Sequence, residues 1–333
     1  MSEIKLIVIS FVLLFIPVVT QGKVTRVTDM TGCYAKTKSD ERLFLNDKIY
    51  DNKSYFKFFI NSKDAEKIKS LISSGQLIDL NRQLIAADII YQDVLGLTTP
   101  LDKPRYKKAS YIKIIMALID SNGMAFDEVT PAKAQSVTDC HLSIKIKATL
   151  KASNGTPAHE LFHLYQSSYF MFKNRWLTEG TARWSESLLK KDRNKKIETV
   201  LPQSREELEA TMQLAYDASQ MWSRLFQLID DKEEFDIPIS AKAMRYINGN
   251  PVVENNQIYG SSFIKILFDE LEIQSKQAAN DKKRDIYNWK EVDQKSSDNN
   301  IYIWKAVQNA VNKSVPVAHQ SQELKNFISI SLL

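Results

Sequence analysis

His159-Glu160-Leu161-Phe162-His163 is the stretch on which the reading of this 333-residue chain turns. Two histidines four apart on a helix project from one face, one turn apart, so both imidazoles can reach a single metal ion. Glu160 stands beside such an ion without ligating it, where its carboxylate serves as general base toward a water. Imidazole and carboxylate ligands suit zinc, and a catalytic zinc site keeps one of its four positions open. The pattern is short enough to arise by accident, and two histidines on an amphipathic helix are its bland alternative. Its surroundings therefore decide. Only four histidines are present in the whole chain, which makes two at ligand spacing less expected by chance.

Upstream, His141-Leu142-Ser143-Ile144-Lys145-Ile146-Lys147-Ala148 alternates polar and apolar residues. That period of two predicts a strand with Leu142, Ile144 and Ile146 on one face and His141, Ser143, Lys145 and Lys147 on the other. Asn154-Gly155-Thr156-Pro157 then marks a turn and a helix start. Downstream lies Trp176-Leu177-Thr178-Glu179-Gly180-Thr181-Ala182-Arg183-Trp184-Ser185-Glu186.

With the HExxH helix before it, this second stretch resembles the third-ligand helix of the gluzincin family of zinc metallopeptidases. The resemblance covers residues 141–190 well and 257–270 loosely. It implies that Glu179 completes a metal site with His159 and His163, binding one Zn2+ per chain. Glu186 lies two turns along the same helical face and reads either as a partner for a ligating histidine or as a plain surface carboxylate. Tyr259, in Tyr259-Gly260-Ser261-Ser262, resembles the tyrosine opening a later helix of aminopeptidase-type gluzincins, whose hydroxyl stabilises the oxyanion. Here the glycine follows the tyrosine directly, where that family places it three residues on. Tyr216 is the competitor for the role, and His141 and His319 are weaker ones with surface roles expected instead. The amine-binding Gly-x-Met-Glu-Asn signature of the aminopeptidases is missing, so internal cleavage is favoured.

The fold class expected is α+β and zincin-like: a small mixed sheet, the HExxH helix, then a mainly helical C-terminal lobe. The organisation expected is a signal peptide over 1–22, an N-terminal α/β lobe over 23–156 with an edge strand near 141–148, and the catalytic helix with its helical lobe over 157–333. Helical spacing predicts helices near 63–73, 78–96, 157–172, 178–191, 204–231, 239–247, 257–273 and 302–313. Tyr111–Leu118 reads as a buried strand, 23–60 as irregular or strand-like, and 274–300 as a long surface loop.

The N-terminus opens with Lys5 and an apolar run over Leu6–Val19, with Thr20 and Gly22 at positions suited to cleavage after Gly22. This run is shorter than the roughly 20 residues of a spanning helix, so an exported, periplasmic or secreted protein is expected, with an uncleaved anchor as the alternative. Cys33 and Cys140 are the two cysteines. In an oxidising compartment they are expected to pair as a disulfide, closing a loop worth about 4–5 kcal/mol in the chain-entropy model; two buried thiols are the alternative. The net charge of +5, from 45 basic and 40 acidic residues, keeps a protein soluble and gives no concentrated basic face for nucleic acid. The cluster Lys190-Lys191-Asp192-Arg193-Asn194-Lys195-Lys196 reads as a solvated helix end or loop.

These features together predict an exported zinc peptidase that hydrolyses peptide or protein substrates with a metal-activated water and Glu160 as general base. No stable membrane insertion is expected once the signal segment is removed. Two alternatives share the same residues: a zinc hydrolase for a non-peptide bond or a single partner, and a non-catalytic metal-binding protein. Glu160 argues against the latter, since a purely structural site needs no base.

Overall fold

Phe56, Phe58 and Ile60 are buried while Lys57 between them is exposed, and this alternation makes Phe56–Asn61 a strand packed on one face. It belongs to a five-stranded mixed sheet formed by β1 (Glu41–Leu43), β2 (Phe56–Asn61), β3 (Ala109–Ala117), β4 (Gly123–Pro131) and β5 (Cys140–Lys147). The order across the sheet is β1-β2-β3-β5-β4. β2 and β5 flank β3 in parallel, whereas β1 on β2 and β4 on β5 are antiparallel. The computed structural model describes residues 41–43 (backbone only), 55–131, 140–151, 153–190, 199–230, 236–254 and 259–332. The expected signal segment and Cys33 lie outside these residues.

The helices are α1 (Ala65–Leu71), α2 (Ser74–Ile89), α3 (Thr156–Tyr169), α4 (Arg175–Ser185), α5 (Arg205–Met212), α6 (Ser219–Ile229), α7 (Ile239–Lys242), α8 (Phe263–Asp281), α9 (Glu291–Gln294), α10 (Asn300–Ser314) and α11 (Gln322–Ile328). Ser73 caps α2, its hydroxyl accepting from the Gln76 N–H at 3.1 Å, and a π turn over Ile90–Val94 extends that helix. Pro157 opens α3, where a missing N–H costs nothing. Among the described residues, no helix is long and apolar enough to cross a membrane.

α3 is central. It packs against α2, β4 and β5 on one side and against α4 and α8 on the other. Leu161, Phe162, Leu164 and Tyr165 on it are fully buried, each such side chain contributing about 1.5–3 kcal/mol on leaving water. Hydrogen bonds fix it from behind: the Tyr91 hydroxyl donates to the Ala158 carbonyl at 3.0 Å, and the Tyr165 hydroxyl donates to Asp88 at 2.6 Å. The lobes read on either side of residue 156 thus share one hydrophobic core, which runs from Phe56 to Ile330.

Four expectations need correction. The segment 141–148 is no sheet edge: β5 lies between β3 and β4, and β4 forms the edge. Gly123–Pro131 carries exposed and half-buried residues without clean alternation, so its strand character comes from pairing with β5. The expected loop 274–300 is largely helix, because α8 continues to Asp281 with Gln274, Ser275, Ala278 and Ala279 buried against its neighbours. The expected helix 204–231 is broken at Gln213–Ala215 into α5 and α6. Helix 239–247 shrinks to Ile239–Lys242, after which Arg245 bridges to Pro251.

Candidate metal centre

His159 and His163 leave the same face of α3 as their spacing dictates, with ring centroids 4.7 Å apart and planes at 86°. Glu179 reaches them from α4. Its Oε2 lies 3.3 Å from His159 Nε2 and 3.5 Å from His163 Nε2. Ligand atoms about 2.0–2.1 Å from a tetrahedral zinc stand about 3.3–3.4 Å from each other. The three side chains form the one group of this kind among the described residues, with ligand atoms within 4.8 Å of one another.

The other nitrogen of each ring is committed. His159 Nδ1 donates to Glu186 Oε1 at 3.1 Å, and Arg183 Nη1 donates to both oxygens of that carboxylate at 3.1 and 3.0 Å. His163 Nδ1 lies 2.7 Å from Gln166 Oε1. The Gln166 amide is oriented by its two donations, to the Thr178 carbonyl at 2.8 Å and to Thr181 Oγ1 at 2.7 Å. Its oxygen must therefore face His163, and Nδ1 must carry the hydrogen. Both rings consequently turn Nε2 toward Glu179, which is the arrangement that partners of metal-ligating histidines enforce. Glu186 is thus a histidine partner and no surface carboxylate: it is 6% exposed.

The electrostatics favour positive charge at the point where the three side chains meet. Burial works against a charged His159, but hydrogen bonds to Glu179 and Glu186 and the charge on Glu160 overcome it, raising the pKa to about 9. Burial would raise the Glu179 carboxyl, yet the two imidazoles hold it well below the ordinary carboxylate range. A proton or a divalent cation answers the same need. The nitrogen and oxygen donors present fit zinc.

Glu160 sits beside this group, 7% exposed, at the foot of β4. Burial pushes its pKa up, against the lowering pull of the two histidines and of the Ala125 backbone N–H, which donates to its carboxylate. Gly123 makes the approach possible. A Cβ there would fall 2.7 Å from Glu160 Cγ and 2.6 Å from Thr156 Cγ2, so only glycine lets the strand edge come this near α3.

The tyrosine brought to the site is Tyr216. Its ring lies 5.9 Å from the His159 ring; partial burial and the nearby Glu179 carboxylate raise its pKa. Gly180 places it there. A Cβ on Gly180 would lie 2.7 Å from the Trp222 ring and 3.2 Å from Ala218 Cβ, so its absence lets the turn Tyr216–Ala218 close onto α4. Tyr259, preferred from the sequence, instead packs against the hydrophobic core ahead of Gly260, whose α-carbon faces Phe226. His141 is buried in the sheet and His319 is exposed near the C-terminus. Gln166 escaped the sequence reading although it stands three after His163 on the same helical face, a spacing that offered the signal. Arg183 stands in the same relation to Glu186.

No family model, curated protein or solved structure matches this chain.

Proposed function

We infer that the chain is an exported zinc-dependent peptidase of gluzincin type on a zincin-like α+β fold, favouring cleavage within peptide or protein chains. The observation that carries this reading is the meeting of His159 Nε2, His163 Nε2 and Glu179 Oε2 at tetrahedral-ligand spacing, with both Nδ1 atoms already bound elsewhere. Zinc held by these atoms supplies a Lewis acid and brings the pKa of a water down to about 7.

Glu160 is the general base: it takes the proton from the attacking water and delivers it to the leaving amine. Its raised pKa brings it closer to the working range for both tasks. Tyr216, in place of Tyr259, donates its hydroxyl to the oxyanion of the tetrahedral intermediate. β4 supports the reading as well. Its outer edge lies next to Glu160, and an extended substrate can add to such an edge by backbone hydrogen bonds. The Cys33–Cys140 disulfide belongs to the same proposal, since pairing requires the oxidising compartment that export provides.

The deciding experiment is Glu160→Gln. The variant should keep about one zinc per chain and lose cleavage of an unfolded protein by about 10²- to 10⁴-fold. Cleavage that survives this change, or survives chelation, sinks the proposal.

A further inference from the structure

Arg175 opens α4, one helical turn before Glu179, so the two side chains share a face. An arginine and a glutamate at that spacing ordinarily pair. Here the carboxylate is turned to His159 and His163, and Arg175 is left exposed with no hydrogen-bond or ion-pair partner among the described residues. The other cations nearby are neutralised: Arg183 holds Glu186 at 3.0 Å, and Lys173 holds Asp127 at 2.8 Å. Asp217, next to Tyr216, makes no ion pair with Arg175 either.

The position is also unfavourable for the helix. The first turn of α4 contains no acidic residue, and a cation at a helix N-terminus opposes the macrodipole. Helix preference and pairing therefore give no reason for an arginine here. Residues that break a local rule without local compensation are expected where a site uses them. The field of Arg175 reaches the site itself, where it opposes the rise in the Tyr216 pKa caused by burial and Glu179.

Resting on the peptidase reading above, we propose that Arg175 is the specificity residue of this site and selects substrates bearing a carboxylate close to the scissile bond. A substrate carboxylate bound beside this group needs a cation that no protein carboxylate already holds. On α4 that cation is Arg175, whose guanidinium can take a carboxylate by two parallel hydrogen bonds. The carboxylate is either an acidic side chain or the free C-terminus of a peptide.

Binding to the zinc-loaded Glu160→Gln protein tests this without cleavage. The probes are blocked hexapeptides of alanine and leucine, with glutamate, glutamine or lysine at each position in turn, and unblocked forms ending in a free or an amidated C-terminus. Calorimetry should find one acid form bound about tenfold tighter than its neutral counterpart. The arm in which this preference appears identifies the carboxylate. Adding Arg175→Gln should abolish the preference, Arg175→Lys should keep part of it, and Arg175→Glu should turn it toward lysine-bearing peptides. Unchanged circular dichroism and zinc content confirm that these variants are folded. Equal binding of acid and neutral forms, no saturable binding of the acid forms, or a preference that survives Arg175→Glu overturns the proposal. The two readings fail separately. Wild-type protein that cuts peptides without regard to charge removes only the role of Arg175. Charge-selective binding without any cleavage removes only the peptidase.

Discussion

His141 on β5 and His159 on α3 are 2% and 5% exposed, and burial works against the charged imidazole in both. They end on opposite sides of neutral pH. His141 meets the Thr130 hydroxyl at 2.9 Å and stacks on Tyr111, with the Lys113 ammonium nearby, and its pKa falls to about 4. His159 meets two carboxylates and its pKa rises to about 9. Burial alone does not set the charge of a histidine. The charge of the partners does, and α4 is the element that brings carboxylates to α3 and none to β5.

The largest effect that separates the two regions concerns metal. His159→Ala should lose nearly all bound zinc and His141→Ala should keep it, as measured by metal analysis after gel filtration. Zinc retained by the first variant would remove the distinction.

Next in size is the pH dependence of stability in zinc-free protein. The folded pKa of His159 lies above its unfolded value of 6.5, so its stabilisation is present below 6.5 and is lost as pH rises through about 9. The folded pKa of His141 lies below 6.5, so protonation favours the unfolded chain and stability is lost as pH falls from 6.5 through about 4. Each arm amounts to about 3 kcal/mol. Urea unfolding across pH should show His159→Gln flattening the alkaline arm and His141→Gln the acid arm. Both arms unchanged in both variants would break the comparison.

A smaller effect isolates the partner from the ligand. Glu186→Gln keeps a hydrogen-bond acceptor for His159 but removes the charge, and should weaken zinc binding by about 10- to 100-fold. Competition with a chromophoric chelator measures it. An unchanged affinity would mean that orientation of the ring, and not the carboxylate charge, is what matters.

Much of the site was legible because it is helical and local. The spacing of His159, Glu160 and His163 requires nothing beyond helix geometry, whereas Glu179 was reached through the likeness of 176–186 to a gluzincin helix, and its seven-residue spacing to Glu186 marked a shared face. The alternation over 141–148 named the inward residues Leu142, Ile144 and Ile146, all of them buried. It also suggested an open polar face, but His141 and Ser143 on that face are buried too. β4 was missed because an edge strand is held by its neighbour's hydrogen bonds, and Asp127, Glu128 and Thr130 offer no apolar period to betray it.

The sequence by itself determined two histidines on one helical face with a glutamate between them, inside an α+β chain, while Glu179 came from a resemblance and Glu186 was left open between two roles. The shared face of the histidines follows from 3.6 residues per turn. Tertiary structure alone decided which strand forms the edge, that Tyr216 stands beside His159, and that Arg175 has no ion-pair partner among the described residues. Each of these depends on a distance between elements. Gly123 and Gly180 set two of those distances by lacking a side chain, and what lies opposite a glycine cannot be read along the chain.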